Sequence, residues 1–401
     1  MCTAINLVSR GIGESFAVFL LPLARDFRVE RVTITGIYSV YLLTHGLASP
    51  AVGALFDRLG PRVVYSSGLT CFALAYLLAG AAESLWQLYL SLGIFAGVGT
   101  AALGMVPAST LVSRWFKRRL ARAMAVLYAA LGVGLLLFAP TSQWLIDAFG
   151  WRATYHIFGV VLFALLPILL FAPWRKIASG HAEYTTERHR ARPHAKEWNL
   201  RHALRSPAFW GLSCVFFVTA VTTFAVNVQA VAYLVDVGFS ALEAASFYGF
   251  AGVLSIFGML GAGLLSERHG ERRVATISYS CTILGIGALS LLKWYAMYPV
   301  LLAYVLLFGA MQGSRGPLIA TLVARLFAGA GVGSIYGGLA LAMGLGGAAG
   351  SWGAGLLHDL TGGYGAGFFM AALGAVTGIV LFQTIGSLNV RSEIGTEYKH
   401  R

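Results

Sequence analysis

The sequence predicts an all-α membrane protein with twelve spanning helices arranged in two related six-helix bundles. Three observations lead to this fold class. Of the 401 residues, 58% are hydrophobic and 11% are charged, with a mean hydropathy of +0.74, whereas soluble domains carry about 25% charged residues. Apolar segments long enough to cross a bilayer recur along the whole chain. Short sequence patterns of the first half also return in the second.

Twelve apolar segments are each near or above the ~20 residues that cross about 30 Å of hydrocarbon. They are predicted as helices over 3–24, 34–56, 63–82, 85–112, 123–145, 153–173, 208–235, 242–266, 274–292, 297–324, 329–357 and 365–387. The first segment holds Arg10 and Glu14 at its centre and has no charged amino-terminal region or small-residue cleavage site, so we expect a spanning helix rather than a signal peptide. The predicted units are a bundle over 1–172, a cytoplasmic linker over 173–206, a bundle over 207–390 and a cytoplasmic tail over 391–401.

Lysine and arginine are distributed unequally between the two sets of loops. With both termini on one side, the connections on that side hold 22 of the 29 basic residues and the opposite connections hold five. The positive-inside rule makes the basic side cytoplasmic. We therefore expect a multi-pass protein of the inner (cytoplasmic) membrane with both termini cytoplasmic. The net charge of +13 is then an orientation signal, and we expect the lipid bilayer, not nucleic acid, as the partner.

Internal repetition is the strongest pattern in the chain. The stretch GALFDRLGPR at 53–62 returns as GLLSERHGER at 263–272, which is 210 positions later. The stretch STLVSRWF at 109–116 returns as ATLVARLF at 320–327, which is 211 positions later. A near-constant offset indicates that one six-helix unit was duplicated.

The first repeated stretch resembles the G-x-x-x-D-R-x-G-x-R signature of the major facilitator superfamily, and the second resembles its weaker echo in the other half. The resemblance covers the whole chain. It implies a transporter that works by alternating access around a site near the membrane midplane, that functions as a monomer and whose helices 1, 4, 7 and 10 line the central cavity. It also implies a cytoplasmic gate, and the alternative is a basic loop that only sets orientation. The matching gate residues are Asp57, Arg58, Arg62, Glu267, Arg268 and Arg272.

Three ionisable residues lie near the middle of predicted helices. Glu14 is eleven residues from Arg25, and Arg315 is ten residues from Arg325, so each lies about 15 Å from a helix end at 1.5 Å per residue. Arg10 precedes Glu14 by four residues, which places both on one helix face. Intramembrane ionisable residues are functional candidates. The alternative for Arg10 and Glu14 is an ion pair that only orients the first helix.

Charge compensation predicts the substrate class. Arg10 and Glu14 cancel, whereas Arg315 is left without an assigned partner, and an unpaired buried cation is costly. Either Glu14 or a bound anion pairs with Arg315. Because guanidinium matches a carboxylate well, we expect a small organic anion held by Arg315. Glu14 would take the coupling proton and so release Arg315, with H⁺ as coupling ion and no organic cofactor.

Further polar and aromatic side chains of the predicted helices are candidates for the same site, with packing as the alternative for each. The predicted substrate contacts besides Arg315 are Asn227, Gln229, Tyr128, Tyr336 and Tyr38. The predicted proton-coupling residues are Glu14, Arg10 and His45. We find no metal-ligand spacing and no catalytic constellation, so we expect no metal site and no enzyme.

The stretch SRGIGESFAVFLLPLARDF at 9–27 resembles the first helix of bacterial oxalate/formate antiporters and monocarboxylate transporters. This branch moves short carboxylates, with a proton or in exchange. The oxalate/formate exchangers use a lysine in helix 11, and helix 11 here has none, so their substrate specificity does not transfer. Proton-coupled symport of a monocarboxylate-like anion is the predicted function. The alternatives are an anion exchanger, a drug/proton antiporter and a non-transporting nutrient receptor.

Overall fold

The computed structural model describes residues 1–116, 120–179, 200–327 and 332–385, which form helices and no β-strand. Ten of these helices are long and apolar enough to cross a membrane, and Tyr298–Gln312 is a shorter apolar helix. The predicted all-α membrane fold is confirmed. Most of the predicted linker and all of the predicted tail lie outside the described residues, so the domain boundaries stay predictions.

The helices follow the predicted order and are numbered here as twelve spanning units, some of them interrupted. The first six are α1, Cys2–Glu14 and Phe16–Phe27; α2 and α3, the two arms of Arg31–Gly80; α4, Leu85–Leu88, Tyr89–Phe95, Ala96–Leu103 and Met105–Trp115; and α5 and α6, the two arms of Leu120–Ala164 followed by Leu166–Phe171. The last six are α7, Pro207–Asp236; α8, Ala241–His269; α9, Glu271–Leu291; α10, Tyr298–Tyr304, Val305–Gly309, Ala310–Gln312 and Arg315–Leu326; α11, Val332–Thr361; and α12, Gly365–Thr384. Two short helices, Trp174–Ser179 and Leu200–Ala203, lie between α6 and α7.

The two copies of the repeated motif make the same turn. Gly60 separates α2 from α3 with φ 79° and ψ 172°, and Gly270 separates α8 from α9 with φ 84° and ψ 151°. Glycine adopts positive φ at little steric cost, so these positions reverse the chain where other residues would be strained. Each copy of the motif thus forms a turn between two helices. We call the end of the bundle that carries both turns the basic end.

Helices α4 and α10 are interrupted at matching places. Each contains a π-helical segment, Tyr89–Phe95 in α4 and Val305–Gly309 in α10. Each then breaks, at Gly104 in α4 and at Gly313 and Ser314 in α10. π-Segments and broken spanning helices are frequent at functional sites. Arg315 begins the helical segment that follows the break in α10.

The two halves touch mainly along two seams, α2 with α11 and α5 with α8, and also where Phe16–Phe27 of α1 meets α7. Small residues allow the close approach. A Cβ added to Gly132 of α5 would lie 2.3 Å from the carbonyl oxygen of Gly252 of α8, and one added to Gly46 of α2 would lie 3.1 Å from the Cα of Gly344 of α11. In a lipid environment such glycine contacts let helix backbones pack closely, so both seams are tight at mid-height.

Candidate functional site

Glu14 lies at the centre of a hydrogen-bonded cluster that joins both halves. Its Oε1 is 3.3 Å from Nη2 of Arg10, and its Oε2 accepts a 2.6 Å hydrogen bond from the hydroxyl of Tyr38. Its backbone carbonyl accepts a 3.2 Å bond from the hydroxyl of Tyr248, which belongs to α8. Glu14 is 7% exposed. The pairing of Arg10 with Glu14 expected from their spacing is confirmed, and both carboxylate oxygens are compensated within the first half.

Aromatic rings of α2 continue this cluster towards the basic end. Tyr38 stacks on Phe16 at 5.0 Å and on Tyr41 at 5.3 Å between ring centroids, and the ring of His45 follows at 6.5 Å from that of Tyr41. The hydroxyl of Tyr41 donates to that of Thr100 at 3.2 Å, and the side chain of Arg10 is 13% exposed. The imidazole of His45 makes no hydrogen bond to any described residue. Arg10 and His45 thus keep free hydrogen-bonding capacity, as a ligand contact or a proton carrier requires.

In the second half, amide side chains lie at the interruption of α10. Nδ2 of Asn227 donates a 2.9 Å hydrogen bond to Oε1 of Gln312, whose Nε2 donates to the carbonyl of Ala251 at 3.4 Å. Gln229 is 2% exposed, and neither its Oε1 nor its Nε2 has a hydrogen-bond partner among the described residues. A buried amide without partners costs about 1–3 kcal/mol per unsatisfied group. Gln229 is therefore a pre-formed donor and acceptor for a ligand or water.

Tyr128 of α5 and Tyr336 of α11 lie within electrostatic range of each other across the two halves. The ring of Tyr336 also packs edge-on against Phe216 of α7, with centroids 6.1 Å apart. Both were predicted as substrate contacts, and this role stays a prediction.

The predicted pairing of Glu14 with Arg315 is not formed in this structure. Arg315 is 0% exposed; its Nη1 donates to the hydroxyl of Thr282 at 3.0 Å, and its guanidinium lies 4.6 Å above the ring of Tyr279. Its Nε and Nη2 have no partner among the described residues. The side chain of Arg315 therefore faces α9 inside the second half. Its role as an anion-binding residue stays a prediction.

The predicted gate residues at the basic end are only partly described. The side chains of Asp57 and Glu267 lie outside the described residues. Arg58, Arg62 and Arg268 are exposed. Arg272 donates from Nε to the carbonyl of Phe382 and from Nη2 to that of Gln383, each at 2.8 Å. Arg272 thus anchors the end of α12 within its own half, and the gate stays a prediction.

A second polar cluster, at the end opposite to the basic end, was missed by the sequence analysis. We call it the Asp359 cluster, and it consists of Arg31, Asp236, Asp359 and Tyr364. Arg31 pairs with Asp236 at 2.7 Å and also donates to the hydroxyl of Tyr364, which donates to Asp236 at 2.5 Å. The carboxylate of Asp359 accepts from the backbone N–H of Arg31 at 3.3 Å and of Val32 at 2.7 Å. Burial raises the pKa of Tyr364, so its hydroxyl stays a protonated donor at neutral pH.

The Asp359 cluster closes one seam between the halves. Arg31 lies at the start of α2, whereas Asp236 ends α7 and Asp359 lies in the last turn of α11. Asp359 therefore caps the start of a helix in the other half, where free N–H groups and the helix dipole favour a carboxylate. The sequence offers one signal for this contact, because Asp359 comes at the end of the long helix of its half, 212 residues after Asp147. This repeated position does not reveal which groups Asp359 contacts.

The fold and these polar clusters define a multi-pass helical membrane protein built from two duplicated halves around a buried, charged centre. The chain belongs to the Major Facilitator Superfamily, whose family model matches residues 2–314. It is a transporter of this superfamily and not an enzyme.

Curated relatives cover most of the chain. Monocarboxylate transporter 13 of Bos taurus is 28% identical over 376 residues, which is 90% of this chain and 82% of that protein. Monocarboxylate transporter 11 of Mus musculus is 28% identical over 94% of this chain and 84% of its own length. YcxA of Bacillus subtilis, an uncharacterized MFS-type transporter, is 27% identical over 88% of this chain and 85% of its own length.

Proposed function

We propose that this transporter carries a small, monocarboxylate-like organic anion together with a proton, by alternating access across the inner membrane with both termini cytoplasmic. The observation that supports it most is the central ion pair. Glu14 neutralises Arg10 through one oxygen, and Tyr38 holds the other. Protonation of Glu14 would therefore leave the guanidinium of Arg10 without its neutralising negative charge. The names of the monocarboxylate relatives support the same substrate class.

Charge neutrality explains the coupling. With Glu14 ionised and no substrate, the Arg10–Glu14 pair has no net charge. With Glu14 protonated and a monocarboxylate on Arg10, the site is neutral again. The two mixed states leave one buried charge uncompensated, which costs several kcal/mol in a low-dielectric interior. Only the empty and the doubly loaded protein can then change conformation readily, and this restriction couples anion and proton movement.

Arg10 is the cation that we assign to the substrate in this conformation. Its side chain keeps 13% exposure, whereas Arg315 is 0% exposed and packed on Tyr279. The amide of Gln229, which has no partner among the described residues, is the second candidate contact. Arg315 adds a positive charge to the second half, and none of the described carboxylates contacts it. This charge favours anions over cations throughout the passage.

The test is transport by the purified protein in proteoliposomes, with radiolabelled acetate, lactate and pyruvate as probes. We expect accumulation when the outside is more acidic than the lumen. Glu14→Gln should lose this ΔpH-driven accumulation but keep exchange of labelled for unlabelled anion, because the amide no longer compensates or releases Arg10 in response to pH. The matched control is Glu243→Gln, at a carboxylate that caps the start of α8.

The proposal fails if Glu14→Gln still accumulates an anion against its gradient with ΔpH as the only driving force. Exchange without any dependence on ΔpH in the wild type would instead identify an anion exchanger. Transport of organic cations and not of the three anions would identify a drug/proton antiporter. Arg10→Gln should abolish both accumulation and exchange, because it removes the proposed anion contact itself.

A further inference from the structure

A small cavity lies inside the first half, beside the Glu14 cluster. It encloses about 10 Å³ and is walled by residues of α1, α2, α3, α4 and α6, so it is separate from the seams between the halves. A volume of this size holds about one water molecule. Four tyrosines are among the lining residues, namely Tyr38, Tyr41, Tyr76 and Tyr155. The other lining residues are apolar, so any polar interaction in the cavity involves these hydroxyls or the backbone.

Two of these hydroxyls have no hydrogen-bond partner among the described residues. Tyr155 is 1% exposed and its Oη is fully buried without a partner. Tyr76 is 4% exposed, and its ring lies 5.6 Å from that of Tyr155 between centroids. The unsatisfied buried hydroxyl of Tyr155 costs about 1–3 kcal/mol. An ordered water in the cavity would satisfy both, because buried waters typically make about three hydrogen bonds.

The third hydroxyl connects the cavity to the carboxylate. Tyr38 lines the cavity and donates its proton at 2.6 Å to Oε2 of Glu14, which leaves its oxygen free to accept a bond from a water. Tyr76 lies close enough to interact electrostatically with Tyr155 and with Glu14. Oxygens that both donate and accept hydrogen bonds can pass protons along a chain.

The far end of this chain approaches a second cavity. Trp151, one helical turn before Tyr155 on α6, lines a cavity of about 350 Å³ together with Arg25, Asp147 and Gln143. This cavity lies at the end of the bundle opposite to the basic end, on the α5–α8 side. The Asp359 cluster meanwhile closes the α2–α11 side of the same end. The larger cavity has a mainly apolar lining with three polar side chains, and Trp151 lies between it and Tyr155 along α6.

We propose that the small cavity is a water site and that its water, with the hydroxyls of Tyr155, Tyr76 and Tyr38, is the route by which Glu14 exchanges its coupling proton. In loading, Tyr38 gives its hydroxyl proton to Oε2 of Glu14 and receives one from the water. The water is reprotonated through Tyr76 and Tyr155 in series, and the last hydroxyl of the series takes its proton from solvent. Each hydroxyl gives one proton and gains one, so only Glu14 changes its charge. The last steps of proton transfer then pass through the small cavity inside the first half. This inference rests on the proposed function, with Glu14 as proton carrier.

Tyr155→Phe and Tyr76→Phe test the route, because each removes one hydroxyl and keeps its ring. The probe is the anion that the wild type accumulates in the proteoliposome assay. We expect the initial rate of ΔpH-driven uptake to fall roughly tenfold or more in each variant. Tenfold is a lower bound, because one positioned proton-transfer group typically contributes about 10²–10⁴-fold to a rate. Exchange at symmetrical pH should stay at the wild-type rate, since it needs no net proton movement. The matched control is Tyr65→Phe, eleven residues before Tyr76 on α3, whose hydroxyl is bonded to Cys2.

Other results would overturn the inference. If both tyrosine variants take up the anion under ΔpH as fast as the Tyr65→Phe control, the hydroxyls do not carry the proton. If exchange falls in parallel with uptake, the tyrosines act on substrate passage or folding instead. Both outcomes leave the proposed function standing. Wild-type protein without any ΔpH-driven uptake would instead remove the proposed function, and the proton route with it.

Discussion

Asp359→Ala is expected to open the end of the transporter that the Asp359 cluster holds shut. The substitution leaves the backbone N–H groups of Arg31 and Val32 without the carboxylate that they now contact at 3.3 and 2.7 Å. Loss of a helix N-cap costs about 0.5–2 kcal/mol. Because only the closed state has this contact, the ratio of open to closed protein should rise about two- to thirtyfold, at 1.4 kcal/mol per factor of ten.

Thiol accessibility measures this shift. Ser351 of α11 is 0% exposed and donates to the carbonyl of Thr35 at 3.2 Å, and it lies eight residues, or about 12 Å, inside Asp359. A Ser351→Cys probe in a background without the four native cysteines should react with a membrane-impermeant reagent only when this seam opens. The rate should rise with Asp359→Ala. It should not rise with Asp147→Ala, because that aspartate accepts from Gln143 of its own helix. Equal rates in both variants would refute the role of Asp359.

Two further changes test packing and the buried arginine by thermal unfolding of the purified protein. Gly258→Ala should destabilise the fold by about 1–3 kcal/mol or more, because its Cβ would lie 1.7 Å from the carbonyl oxygen of Ala310. Gly261→Ala is the control and should be tolerated, because its Cβ would have nothing within 4 Å. Similar unfolding midpoints for both variants would contradict the described α8–α10 contact. Thr282→Val should destabilise by about 1–3 kcal/mol, because it removes the hydroxyl that Arg315 contacts at 3.0 Å. Thr282→Ser should restore the wild-type midpoint, and an unchanged midpoint in Thr282→Val would show that this hydrogen bond contributes nothing.

Local features of the fold were predictable because they depend on neighbouring residues. Apolar length identifies spanning helices, and the repeated motif located the turns at Gly60 and Gly270. The pairing of Arg10 with Glu14 followed from their spacing of four, since helix geometry alone places them on one face. Each of these inferences needs only a few consecutive residues.

The direction in which the side chain of Arg315 points was not predictable from its neighbouring residues. From Trp294 to Ser314 no residue is charged, and a helix that is apolar on all sides has no polar face that would reveal its rotation. Sequence reasoning could therefore place the arginine at mid-depth but could not distinguish the central passage from the α9 side, where Tyr279 lies.

The two aspartates of the repeat show why a duplicated sequence does not imply a duplicated contact. The start of α8 caps itself, because Ser240 accepts from the N–H of Glu243 at 3.2 Å and Glu243 accepts from that of Ser240 at 2.9 Å. The start of α2 has no side-chain cap of its own. Asp359 therefore finds free N–H groups across the α2–α11 seam, whereas Asp147 accepts from Gln143 of its own helix and lines a cavity together with Ala241 of α8. Two aspartates at repeated positions thus make different contacts, because one helix start lacks a cap of its own and the other has one.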